Sequence, residues 1–241
     1  MQWGVPTRLE PTDQPTGVEG YLGDVPAGDF RDPDYERFER QAFLVRMRSD
    51  RPALRVHYHP VDQFQVFCWG AAEFANHRVA AGTVHYADRL TPYGPLQPID
   101  EGVSFLTLRS ESACGAHYMP DRRSELAERL RADPRPADRR RNVSFDLAAE
   151  PDAATAVATL REDDDGLRVS RVRLDAGEAG PEMEIGGDGA FVVVVEGDVD
   201  VDGDAPAGVG CVAWNDPGGL APIVGGPGGA VVAVLQLPDR P

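Results

Sequence analysis

Two histidines, His57 and His59, stand at positions i and i+2 in the segment RVHYHPVDQF. If that segment is a strand, alternation turns both imidazoles to one face and Val56 and Tyr58 to the other. Two imidazoles on one face can chelate a single divalent ion, and a donor from a neighbouring strand would complete a facial set. Gln63 follows after the turn at Pro60, and Gln63, Gln65 and Phe67 share one face of the next strand. The amide oxygen of Gln63 is a third ligand, weaker than a carboxylate, or else the amide hydrogen-bonds a histidine and orients it.

The chain has five histidines, and all lie in its first half: His57, His59, His77, His85 and His117. His85 sits on GTVHYAD directly after the turn at Gly82 and is the better fourth ligand; His77, at the end of a strand, is the other. His117 reads as structural. Arg55 falls on the face of His57 and His59. An inward arginine there, or at Arg109, would hold a substrate carboxylate with two parallel hydrogen bonds; the alternative is an exposed strand arginine. Tyr58, Tyr86 and Phe105 read as core or pocket lining.

The elements that must position these groups are short strands. AFLVRMR, ALRVHYH, DQFQVFCWG, GTVHYAD and VSFLTLR are rich in Val, Phe and Tyr, and turn residues separate them. SELAERLRA (124–132) predicts one helix, capped by Ser124, with Leu126 and Leu130 as an apolar i, i+4 pair. DPRPADRRR (133–141) predicts an extended, solvated linker, because proline and dense like charge disfavour compaction. Residues 1 to about 40 predict an arm packed on a barrel.

Strand patterning then resumes in LRVSRVRL, PEMEI, AFVVVVEGDVDVDG, GVGCVAW and GAVVAVLQLP. Shifting the second half back by 127 residues lays Glu196-Gly197 on Trp69-Gly70 and Pro222-Ile223 on Pro95-Leu96. One further residue brings Gly210 onto Gly82. One all-β unit is therefore present twice. Under this shift His57 falls on Glu184, His59 on Gly186, Gln63 on Ala190 and His85 on Val212, so the second copy carries none of the proposed ligands and reads as structural.

HYHPVDQFQVFCWG resembles the first motif of the cupin superfamily: His-X-His, three or four residues, a glutamate, six residues, a glycine. Here the match is His57, His59, Gln63 and Gly70, with Gln63 where the family has glutamate and Arg51 where it has a leading glycine. The second motif is matched loosely by Gly82 and Pro92-Tyr93-Gly94, and its histidine falls on Gln97. The resemblance implies an all-β fold of two tandem cupin-type (double-stranded β-helix, or jelly-roll) barrels, a bicupin with a short connecting helix. The expected division is 1–132 for the arm, the metal-binding barrel and the helix, 133–141 for the linker, and 142–241 for the degenerate barrel. It further implies one divalent metal ion (Fe, Mn, Ni or Zn) on His57, His59, Gln63 and His85, with Arg55, Tyr93 and Arg109 meeting the substrate. The activity would be that of a metal-dependent enzyme on a small organic metabolite, of dioxygenase, isomerase or lyase type. The alternative is a non-catalytic metabolite-binding or structural bicupin. A homodimer is the family's expectation.

Composition sets the outer limits. The 241 residues include 21 prolines and 26 glycines, which suit short strands and turns. Twenty-four basic residues, all arginine, against 40 acidic ones give a formal charge of -16, which repels nucleic acid and anionic membranes. EDDDG (162–166) reads as a solvated turn. No apolar run is long enough to span a bilayer, and MQWGVPTRLEPTDQP lacks the pattern of a secretory leader. Cys68, Cys114 and Cys211 are isolated, which predicts reduced thiols and a cytoplasmic setting.

Overall fold

The structure is a computed structural model. It describes residues 3–11, 16–22 (backbone only), 40–111, 113, 115–136, 140–147, 156–200 and 206–239. The chain forms two compact units, Glu10–Ser144 and Met1–Leu9 with Phe145–Pro241. The first strand, β1 (Trp3–Gly4), joins the sheet of the later unit by pairing with Val212 and Ala213.

The unit carrying the histidines contains β2 (Thr16–Leu22), β3 (Gln41–Met47), β4 (His57–Tyr58), β5 (Gln63–Phe74), β6 (His77–Ala80), β7 (Thr83–Ala87), β8 (Leu96–Arg109), β9 (His117–Tyr118) and α1 (Arg123–Ala132); its sheet ends on β10 (Asn142–Asp146). The strand order is β10-β7-β5-β8-β3-β2, with β6 on the end of β5, and β4 and β9 make a separate ribbon. Antiparallel pairing runs from β2 through β3, β8 and β5 to β7. Phe67, Phe74 and Phe105 pack inside with Met47, Leu96 and Val103. Each such side chain, fully buried, contributes roughly 1.5–3 kcal/mol of transfer free energy.

The other unit contains β11 (Val157–Glu162), β12 (Arg168–Leu174), β13 (Glu184–Ile185), β14 (Ala190–Asp200), β15 (Ala207–Gly208), β16 (Val212–Asn215), β17 (Gly218–Gly219) and β18 (Val224–Gln236). Its sheet runs β1-β16-β14-β18-β12-β11, with β15 on the end of β14 and a β13–β17 ribbon. Strand for strand this is the first order again.

The offset of 127 is a register match. Gln63 pairs with Arg109, and Ala190 pairs with Gln236. Gly70 and Gly197 both have φ +68°, and a Cβ on either would lie 2.1 Å or 2.0 Å from the carbonyl oxygen of Gly102 or Gly229. Only glycine fits there. Gly82 and Gly210 turn alike, at φ +88° and +83°, one residue out of step with that offset. That extra residue moves the counterpart of His85 from Val212 to Ala213, since Gln65 pairs with His85 and Val192 with Ala213.

Three local expectations change. ALRVHYH is a strand only at His57–Tyr58; otherwise it pairs through isolated bridges, Leu54 with Leu96 and His57 with Tyr93. The helix begins at Arg123 with Arg122 as its N-cap and no side-chain cap, so Ser124 lies inside the first turn. Leu126 is buried, and it packs with Tyr58, Leu90, Met119 and Leu130. Pro134 and Pro136 are exposed, but the charged side chains of Asp133, Arg135, Arg140 and Arg141 are not solvated. The fully buried Asp88 carboxylate takes Arg135 and Arg141, Asp62 takes Arg135 at 2.7 Å, and Asp133 takes Arg89 at 2.7 Å and Arg140 at 2.9 Å. Acidic partners on the barrel turn a run of like charge into a docked strap.

Candidate functional site

A cavity of about 390 Å³ opens among β3, β4, β5, β8 and β9. Phe43, Val45, Leu54, Phe105 and Tyr118 supply apolar wall, and His57, His59, Gln65, Tyr93, Thr107 and Arg109 supply polar groups. Alternation accounts for the strand contributions: Phe105, Thr107 and Arg109 project from one face of β8, and Gln63 and Gln65 from one face of β5. Tyr93 enters from the loop before β8, fixed to His57 by reciprocal backbone hydrogen bonds of 3.1 and 3.0 Å.

The polar groups form a chain with a direction. Arg109 is only 4% exposed. A guanidinium can only donate, and its Nε donates to Gln63 Oε1 at 3.1 Å. That contact fixes the Gln63 amide, whose Nε2 donates to the Tyr93 hydroxyl. The Tyr93 proton is then directed at His57 Nε2, 3.0 Å away. His57 Nδ1 carries its hydrogen to the carbonyl of Arg55 at 2.7 Å. Arg109 also donates to the Ala113 carbonyl at 3.2 Å, and its Nη2 lies 3.1 Å from His59 Nδ1 and 3.3 Å from Nε2.

Burial sets the charges. It lowers the His57 pKa to about 4, with the Arg55 carbonyl opposing and Arg109 adding to the shift. Burial, then Arg109, holds His59 well below the usual histidine range. Both rings are neutral at pH 7. Burial raises the Tyr93 hydroxyl, so it stays protonated.

The structure brings His57, His59, Gln63, Tyr93 and Arg109 together. His85 lies behind this group, its ring 5.6 Å from that of Tyr93 and its Nδ1 3.0 Å from Ser144 Oγ; His77, whose Nε2 meets the same oxygen at 3.0 Å, stays outside. Arg55 is exposed, paired with Asp121 at 3.2 Å and set over the Tyr118 ring. It lies outside the cavity because β4 is too short to carry alternation back to it. Gln97 donates to the carbonyls of Arg51 and Pro98. His117 stacks on Tyr58 and meets Glu125 at 3.2 Å, joining the β4–β9 ribbon to α1. Cys68 and Cys211 are buried thiols outside any disulfide; Cys114 lies outside the described residues. Sequence reasoning passed over Thr107, Tyr118 and Ser144. The signal for Thr107 was its place two residues before Arg109.

This donor set does not fit a divalent cation. Gln63 presents its N–H groups toward Tyr93 and gives its oxygen to Arg109. His59 lies against a guanidinium, and the only lone pair of His57 takes the Tyr93 proton. A dication there would sit beside a fixed positive charge. Among the described residues, no three His, Cys, Asp or Glu side chains are placed to hold a metal ion. In the second unit Gln236 stands at the Arg109 position and bonds the backbone of Gly186 and Gly166.

No protein-family model matches the sequence, and no curated protein matches it. Solved structures do. A candidate dioxygenase from Nostoc punctiforme superposes with a TM-score of 0.58 at 13% identity, covering 95% of this chain and 84% of that one. An oxalate decarboxylase variant from Bacillus subtilis gives 0.58 at 13%, covering 98% and 76%. AerE from Microcystis aeruginosa gives 0.51 at 13%, covering 98% of each chain. These likenesses bear out the all-β, cupin-type barrel fold. Among the described residues, no helix is long and apolar enough to cross a membrane.

Proposed function

We propose that the histidine-bearing barrel binds a small organic acid, its carboxylate on Arg109, and moves a proton on it through Tyr93 and His57. The supporting observation is the directed chain Arg109–Gln63–Tyr93–His57 along the wall of a half-apolar cavity. A guanidinium attracts a carboxylate through charge-assisted hydrogen bonds, and apolar walls strengthen that attraction by excluding water. Neutral His57 accepts a proton at Nε2 as the Tyr93 oxygen takes one from the ligand, so the pair works as an acid–base relay. Loss of a proton next to a carbonyl, the first step of isomerase and lyase chemistry, suits such a relay. No resident metal enters this reading, because the donor set does not fit one. The second unit, with Gln236 for Arg109 and Ala190 for Gln63, serves as scaffold.

The test is hydrogen–deuterium exchange in deuterated water, followed by proton NMR, on 2-oxobutanoate, acetoacetate and oxaloacetate. Exchange of a carbon-bound hydrogen above the protein-free rate, lost in Tyr93→Phe and Arg109→Gln, is the expected result. Binding without exchange would leave a metabolite-binding barrel. No binding of any acid would remove the proposal.

A further inference from the structure

Behind the cavity, two buried polar atoms have no hydrogen-bond partner among the described residues: Gln65 Oε1 and His85 Nε2. Their side chains are 2% and 1% exposed. They belong to register partners, Gln65 on β5 directly opposite His85 on β7. Partners opposed across an antiparallel pair project to the same face, about 5 Å apart at Cβ. Gln65 also lines the cavity and stands opposite Thr107, another lining residue. The His85 ring is not free to turn and satisfy itself, since Ser144 Oγ holds its Nδ1 at 3.0 Å and Phe74 packs edge-on against it at 4.6 Å. Buried polar atoms in folded proteins are nearly always paired. Two orphans at one register position beside a cavity mark a place for a partner.

We infer that Gln65 and His85 form a second polar subsite, which receives a hydroxyl of the ligand whose carboxylate Arg109 holds. The ligand class is thus a hydroxy acid with its hydroxyl remote from the carboxylate. This rests on the carboxylate reading above. A hydroxyl suits both orphans: its single hydrogen goes to Gln65 Oε1, and its oxygen accepts from His85 Nε2–H. The outer contacts allow that tautomer. Ser144 Oγ accepts from His77 Nε2–H and gives its own hydrogen to His85 Nδ1, which leaves the His85 hydrogen on Nε2. A second carboxylate would instead set oxygen against Gln65 Oε1. Thr107 and Arg109 are two residues apart on β8, or about 7 Å along a strand, so a chain of about four carbons spans the two subsites.

Calorimetric titration of 4-hydroxybutanoate and of pentanoate, which has a methyl in place of the hydroxyl, tests this in the parent, in Gln65→Met and in His85→Phe. The parent should prefer the hydroxy acid at least about tenfold, because the other probe leaves buried groups unpaired. Gln65→Met should lose that preference and melt at a higher temperature without ligand, since an orphaned acceptor is gone. Equal binding of the two probes by the parent would overturn the inference, as would preference retained in both variants. If neither probe binds the parent, the carboxylate reading has failed. The melting temperature of Gln65→Met then decides alone: a fall shows that Oε1 is paired in the folded protein and overturns the subsite, and a rise upholds it.

Discussion

Gln63→Glu changes one atom's chemistry at the centre of the hydrogen-bond chain and nearly nothing of its shape. The oxygen that accepts from Arg109 Nε at 3.1 Å is kept. The amide nitrogen that donates to Tyr93 becomes a second acceptor. Tyr93 has one hydrogen, so it turns from His57 Nε2 to the new carboxylate, and His57 loses its donor. A negative charge also arrives within about 5 Å of a carboxylate bound on Arg109. At an effective dielectric of about 20, that repulsion is about 3 kcal/mol, or roughly two orders of magnitude in affinity. Folding should survive, because a buried carboxylate–guanidinium pair roughly breaks even against its desolvation. Calorimetric titration of an organic acid such as 4-hydroxybutanoate, with a thermal melt of each protein, measures both quantities. A folded Gln63→Glu protein that binds the acid as tightly as the parent would refute Arg109 as the carboxylate site.

Other consequences are independent of the ligand. Burial pushes the Asp88 carboxyl up, but hydrogen bonds from Arg141 and Tyr86 and the charge of Arg135 outweigh it and leave its pKa lowered; Asp133 is lowered likewise by Arg135 and Arg89 against its own burial. A carboxyl depressed in the folded state stabilises above its unfolded pKa, about 3.9, and that stability is lost as pH falls through the folded value. Melting temperature should therefore drop on acidification below about pH 4, and Asp88→Asn, which removes the buried carboxylate shared by Arg135 and Arg141 and leaves Arg135 on Asp62, should cost about 3 kcal/mol at neutral pH in a urea melt. Gly70→Ala and Gly197→Ala should each cost about 3 kcal/mol or more, from positive φ and a backbone clash. Gly82→Ala, with open space around its Cβ, should cost only about 1–2 kcal/mol. Tyr93→Phe leaves both Gln63 Nε2 and His57 Nε2 without that partner, and denaturation should show a loss of about 1–3 kcal/mol.

The fold was legible because turns and registers are written in few residues. Gly70 and Gly197 occupy positions that no side chain enters, and Gly82 and Gly210 mark the same turn, so the repeat survived with few identities. The histidine pair was visible from its i, i+2 spacing, and Arg109 from alternation on β8. What alternation could not show is which way a polar group points once it is inside. Gln63 read as a metal ligand because its oxygen was assumed to face the histidines. Arg109, 46 residues away in sequence, turns that oxygen to itself. Tyr93 fills the space between, brought there by backbone pairing with His57 outside any regular strand. Arg55 read as inward because alternation was carried along a strand that is only two residues long, and His85 lies behind the cavity rather than beside His57 and His59, with Ser144 on its Nδ1. The strap itself read as solvated because its acidic partners, Asp62 and Asp88, are distant in sequence.

The most direct measurement is titration of 4-hydroxybutanoate into untagged, chelator-treated protein, repeated after adding iron, manganese, nickel or zinc, beside Arg109→Gln. The account predicts binding without metal, no gain from any of the four, and loss in Arg109→Gln. Binding that appears only with a stoichiometric metal ion, or that persists in Arg109→Gln, would contradict it.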